Sequence, residues 1–286
     1  MSQLAFKIAW RLLLYPLLAL AALSFFFFWL YAHPRRYTGS YKPEDFGLKA
    51  EPLRLRTADG IDLDAWFIPH STSKNTVIVC HGYPMDKSDV LGLTSFLARE
   101  FNLLYFDFRA TGRSGGFFST GGARETRDID AAAAFVQGRL PGGAVGLFGF
   151  SMGGAAVLLS ANPAVKARAL DAPFADLHGE LEHIFAGWGP LRRPLLLLMR
   201  GWMLLFTGVD IKAVSPVRNA AAFAAPMLLV HGTLDGTVPP ANSAALKAAN
   251  PAAELWLVEG ADHGQNHYTA PAEYERRLTA FFRGSL

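Results

Sequence analysis

The 286-residue sequence predicts an α/β fold, with a mostly parallel central sheet covered by helices on both faces. Three observations carry that expectation. Short apolar runs without alternation, such as Thr76-Val-Ile-Val-Cys80 and Asn102-Leu-Leu-Tyr-Phe-Asp107, take turns along the chain with stretches of helical character. Strands buried on both faces lose the polar–apolar alternation, and strands separated by helices are joined by right-handed crossovers into a parallel sheet. Ala144 to Gly154 reads as a strand, a very tight turn and a helix around Gly149-Phe150-Ser151-Met152-Gly153. Finally, the residues just after several strands are the ones able to do chemistry, and ligands of such sheets sit beyond the carboxyl ends of the strands.

Composition narrows the classes. Apolar residues make up 51% of the chain and charged ones 18%, so a sizeable core is available. The net charge of +3 is small and scattered, with no Lys/Arg cluster interleaved with aromatics, which argues against a nucleic-acid partner. A lone cysteine, Cys80, precludes an intrachain disulfide and a Cys-based zinc site. No carboxylate and histidine cluster has metal-ligand spacing, so no metal is expected.

From the N-terminus, Leu12 to Ala32 carries no charge. As a helix it spans roughly 31 Å, the thickness of a bilayer's hydrocarbon core. We read it as an uncleaved, single-pass membrane anchor (residues 1–36), because the apolar run exceeds that of a signal peptide and Leu30-Tyr-Ala32 is a poor cleavage site. Trp10, Trp29 and Tyr31 fit interfacial belts, and Pro16 is expected in the first turns of the helix. The flanking basic residues are too evenly divided to orient the helix. Residues 37–50 read as a polar linker, and residues 51–286 as the main domain.

That domain opens with a hairpin, Leu53-Arg-Leu-Arg-Thr and Ile61 to Ile68 around the turn Ala58-Asp59-Gly60. Buried strands follow at Thr76–Cys80, Asn102–Asp107, Val145–Phe150, Arg168–Ala172, Pro226–Val230 and Glu254–Val258. Helices are expected at Ser88–Glu100, Arg124–Arg139, after Ser151, Pro240–Ala249 and Pro271–Arg283. An insertion at about 177–224 holds the strongly apolar Trp188 to Phe206, with Arg192, Arg193 and Arg200 interspersed. One reading makes its core a helix packed on the sheet. The other makes it a cap over Ser151 that lines an acyl pocket and meets the bilayer, with the arginines among lipid head groups.

At the turn, a strand can reverse into a helix within one residue only if that residue takes a strained backbone and its neighbours two places away nearly vanish. Gly149 and Gly153 meet the demand. Ser151 then stands at the tip, with the amide of Met152 facing any oxyanion formed beside it. After other strands come His81-Gly82-Tyr83, Asp107-Phe-Arg109-Ala-Thr-Gly112-Arg113-Ser114, His231-Gly232-Thr-Leu-Asp235 and Gly260-Ala-Asp262-His263-Gly264. A serine, an aspartate and a histidine thus follow strand ends in that order. A hydroxyl is a weak nucleophile until an imidazole takes its proton, and the imidazole needs a carboxylate to fix its tautomer.

With these motifs, residues 50 to 286 resemble the α/β-hydrolase family, and within it membrane-anchored serine hydrolases close to the serine aminopeptidase and monoacylglycerol lipase types. The resemblance implies Ser151 as nucleophile, Asp235 as acid, His263 as base, and the amides of Tyr83 and Met152 as oxyanion hole. It implies no cofactor. One departure is Ala110, where the family's Asp-x-Arg-Gly loop has glycine. Asp171, after the fourth parallel strand, and Asp262, beside the histidine, are alternative acids, and His267 could share a helical face with His263. His81, His231 and Cys80 read as structural. The expected activity is hydrolysis of an acyl or lipid ester at the membrane, an amidase or peptidase and a non-catalytic anchored scaffold being the alternatives.

Overall fold

The computed structural model describes residues 3–286, the side chains of 4–6, 8 and 9 excepted. Its eight strands are β1 (Glu51–Arg56), β2 (Asp62–Ile68), β3 (Thr76–Cys80), β4 (Asn102–Phe106), β5 (Val145–Phe150), β6 (Val165–Asp171), β7 (Met227–Gly232) and β8 (Glu254–Val258), in the order β1-β2-β4-β3-β5-β6-β7-β8. The β1–β2 and β2–β4 pairs are antiparallel, and every pair from β4 to β8 is parallel. Each residue of β3, β4, β5 and β7 is buried, which is why those runs lack alternation.

The helices are α1 (Gln3–Ala32), α2 (Leu91–Thr94), α3 (Thr126–Arg139), α4 (Met152–Leu159), α5 (Leu177–Ile184), α6 (Arg192–Thr207), α7 (Pro216–Ala220), α8 (Ala241–Ala249), α9 (Asn266–Thr269) and α10 (Pro271–Ser285). One core cluster joins the sheet to α3, α4, α7 and α8, and a second joins its other face to α2 and α10. A third cluster has no strand in it: Phe28 and Ala32 of α1 pack with Leu181 of α5 and Leu195, Met199 and Met203 of α6.

Several expectations change here. Because the residues before Leu12 are also helical, α1 starts at Gln3 and Pro16 is interior rather than in the first turns. Its missing N–H leaves the Leu12 carbonyl without that helical partner. Trp29 and Tyr31 are packed on the domain, against Phe117 and Phe185. The expected helix at Ser88–Glu100 is split into α2 and a 3-10 turn, Ser95–Arg99. At the break, Thr94 has φ −141°, and its hydroxyl is held by the Val90 carbonyl and the Tyr105 hydroxyl. The apolar helix of the insertion packs on α1, not on the sheet. There Trp202 donates its indole N–H to Ser24 Oγ at 3.0 Å. Arg200 is paired with Asp210 at 2.6 Å.

Residues 37–50 lie along the domain. Gly39 N–H donates to Asp86 at 2.9 Å, Arg36 reaches the carbonyls of Ser114 and Gly116, and Phe46, Leu48 and Ala50 pack on the core. Two buried cations tie the loops behind the sheet edge. Lys87 bridges Asp64 and Asp107 at 2.6 and 2.9 Å, and Arg109 bridges Asp128 and Asp59 at 2.6 and 2.8 Å. Such pairing is what makes buried charge tolerable.

Candidate active site

Ser151 sits between β5 and α4 with φ 53° and ψ −119°, a left-handed conformation forced on a residue with a side chain. Its N–H is held by the Asp171 carbonyl at 2.8 Å. A Cβ on Gly149 would lie 2.6 Å from the Gly154 Cα, and one on Gly153 would lie 2.3 Å from the Cys80 carbonyl oxygen. Strand, turn and neighbouring loop therefore touch backbone to backbone, and only glycine fits at either place.

The turn after β7 presents Asp235, and the turn after β8 presents His263. His263 Nδ1 lies 2.7 Å from Asp235 Oδ2, and His263 Nε2 lies 3.2 Å from Ser151 Oγ. With Nδ1–H donating to the carboxylate, Nε2 is left to accept the serine proton. The other Asp235 oxygen accepts from the amides of Thr237 and Val238 at 3.0 and 2.8 Å. Burial acts to raise the Asp235 carboxyl, but hydrogen bonds from His231 and His263 outweigh it and hold the group well below the usual carboxylate range. The Phe150 ring lies 5.0 Å from the imidazole of His263, packing it from the side.

Residues weighed as alternatives are engaged elsewhere. Asp171 accepts from Asn266 Nδ2 and the Tyr274 hydroxyl, each at 2.6 Å, and Asp262 Oδ1 accepts from the amides of His263 and Gly236. His267 stacks on Phe96. His81 accepts from Phe108 N–H at 2.9 Å through Nε2 and donates to the Gly82 carbonyl through Nδ1. His231 sits between Ser243 and the Val238 carbonyl, each at 2.7 Å, so both histidines hold turns. Cys80 is fully buried in β3.

Ser151, Met152 and Tyr83 line a cavity of about 600 Å³, within the range of small-molecule sites (~300–1,000 Å³). The amide of Met152 is in the first turn of α4, where the helix supplies no acceptor. The walls are mainly apolar. Among them are two charged side chains, Arg35 and Glu180, and Glu180 of α5 is 8% exposed, with Oε2 buried and without a hydrogen-bond partner. Its burial pushes the carboxyl up to about 7. Reading the sequence did not single out Glu180, yet the signal was there: Leu177, Glu180, Leu181 and Ile184 share one helical face by their i, i+3, i+4, i+7 spacing, and all four line the cavity.

Comparison with known proteins agrees with this architecture. The profile of the alpha/beta hydrolase family matches residues 77–277. The protein YqkD of Bacillus subtilis is 28% identical over 242 residues, 79% of this chain and 77% of its own. YfhR of Escherichia coli is 31% identical over 213 residues, 70% of this chain and 67% of its own. Among solved structures, the Pyrococcus furiosus esterase Pf2001 superposes with a TM-score of 0.74 at 26% identity, over 89% of this chain and 98% of its own. By its eight-stranded sheet and by a match that spans most of its length, the chain belongs to the alpha/beta hydrolase family.

Proposed function

We propose that this protein is a membrane-anchored serine hydrolase that cleaves carboxylic esters of acyl chains or lipids. The observation that carries the reading is the continuous contact from Asp235 through His263 to Ser151, at 2.7 and 3.2 Å, with Ser151 lining a mainly apolar cavity. In the mechanism, His263 Nε2 removes the Ser151 proton as Oγ attacks the ester carbonyl, and the amides of Tyr83 and Met152 stabilise the oxyanion. The C–O bond to the alcohol breaks as His263 protonates the leaving oxygen, giving an acyl-serine. Water, deprotonated by His263, then attacks the acyl-serine, and the tetrahedral adduct releases the acid and regenerates Ser151. No step calls for a cofactor.

Likeness to an esterase at 26% identity supports the ester as leaving group, and the apolar walls support an acyl chain. The anchor in this reading is residues 1–36, since Trp10–Ala32 is long and apolar enough to cross a bilayer. Residues 37–50 connect it to a hydrolase domain, 51–286, whose cap is 177–224. The test is turnover of p-nitrophenyl esters by the detergent-solubilised full-length protein. Hydrolysis that Ser151→Ala abolishes is expected, whereas turnover of amino-acyl amides without esters would overturn the ester reading.

A further inference from the structure

The last turns of α1 belong to the cavity as well as to the membrane segment. Phe28, Tyr31 and Ala32 line the same space as Ser151, and Phe28 and Ala32 are 3% and 4% exposed, buried against α5 and α6. Two hydrogen bonds tie this end of the helix to the loops beside the nucleophile. Ser119 N–H donates to the Ala32 carbonyl at 2.8 Å, and the Tyr83 hydroxyl donates to the Leu30 carbonyl at 3.1 Å. Tyr83 is the residue whose amide is assigned to the oxyanion.

The outer surface of the same helices is apolar. Leu13, Leu17, Leu18 and Phe26 of α1 are exposed, and so are Leu204 and Leu205 of α6. Water does not tolerate such a patch well, but acyl chains do. The Trp202 to Ser24 bond and the edge contact of Trp202 with Phe25 at 5.4 Å hold α6 on α1, so the two present this surface together. Leu30 belongs to both sides: it is 50% exposed and it lines the cavity. Leu30 therefore joins the exposed apolar surface to the cavity that Ser151 lines, with the charged Arg35 also on that lining.

Building on the serine-hydrolase reading, we propose that α1 and α6 together form an acyl-chain site, and that the substrate is a long-chain ester of a membrane lipid that enters sideways past Leu30. Its chain lies between the two helices while its carbonyl reaches Ser151. α1 is then part of the substrate pocket, and the bilayer is the source of the substrate.

The experiment compares p-nitrophenyl acetate and the hexadecanoyl ester with full-length protein in detergent, using Leu→Trp at two exposed positions of α1. Leu30→Trp is expected to lower kcat/KM for the long ester at least about tenfold more than for acetate, the size of effect of losing part of an apolar pocket. Leu18→Trp, away from the cavity, is expected to change neither. Equal losses on both esters, or equal behaviour of the two variants, would overturn the proposal. Should the protein turn over no ester, the ester reading fails by itself, and a second arm still tests the site. Ser151→Ala protein is irradiated with a long-chain fatty acid bearing a terminal diazirine. Label on the peptides holding Phe28–Ala32 and Met199–Met203, lost in Leu30→Trp, is expected, and label confined to residues 10–18 would contradict the site.

Discussion

The floor and the roof of the cavity are built by different physics. On the floor, Ser151, Asp235 and His263 stand on turns held by backbone amides and carbonyls, beside glycines that admit no side chain. On the roof, α1, α5 and α6 meet through aromatic and aliphatic side chains, several of their outward leucines are exposed, and one carboxyl, Glu180, has no hydrogen-bond partner at its buried oxygen. Backbone contacts fix atoms to within a fraction of an ångström, which proton transfer needs. Side-chain contacts set shape and polarity, which decide what enters. The difference teaches that the chemistry should be insensitive to the membrane and selectivity should depend on it.

Changes to the floor should therefore be the most damaging. Asp235→Asn keeps the shape of the acid but favours the wrong imidazole tautomer, and kcat for p-nitrophenyl acetate should fall by ~10³–10⁴, with a lowered melting temperature because the bonds to the ionised carboxylate are weakened. A fall of less than about tenfold would detach Asp235 from the mechanism. Gly153→Ala drives a methyl into the carbonyls of Cys80 and His81, neither of which can move without shifting β3. We expect a loss of about 3 kcal/mol or more, the upper end for overpacking, read as a lowered denaturation midpoint.

A roof change should be milder and dependent on pH. Glu180 has a folded value of about 7 against 4.5 unfolded, so the folded protein holds its proton more tightly. That contribution to stability is complete below about 4.5 and is lost as pH rises to about 7, because the unfolded chain has already released the proton. Above that range a carboxylate faces the cavity, which Arg35 also lines, and His183, His263, Asp235 and His231 act on it electrostatically. Glu180→Gln should flatten the decline in stability between these pH values and suppress a rise in KM for long esters above neutrality. A pH profile identical to wild type would remove Glu180 from the pocket's electrostatics.

The smallest effect is expected behind the site. Ala110 has φ 63°, where a side chain costs ~1–2 kcal/mol and glycine nothing. The unfolded chain's extra freedom offsets part of the gain, so Ala110→Gly should raise stability by less than about 1 kcal/mol with activity unchanged. A destabilised Ala110→Gly would show that the methyl's packing outweighs its strain.

Much of the floor was legible because its determinants are local. The glycines around Ser151, the apolar strands and the turn residues after them all lie within a few positions of one another, and the strand boundaries hold to within a few residues, Val165 being the largest departure. The roof was not. That Phe28 packs with Met199, or that Trp202 reaches Ser24, is a contact across well over a hundred residues with no local periodicity to announce it. The charge-free run up to Ala32 looked complete as a membrane span, so nothing suggested that its last turns also wall a pocket. The buried ion pairs of Arg109 were equally silent, since a loop arginine usually points to water.

The most direct test of the central claim is covalent labelling of the full-length protein with a fluorophosphonate, mapped by peptide mass. A single adduct on Ser151, absent from Ser151→Ala and strongly slowed in Asp235→Asn, is the predicted result. Folded protein that takes no adduct, or that takes it on another residue, would contradict it.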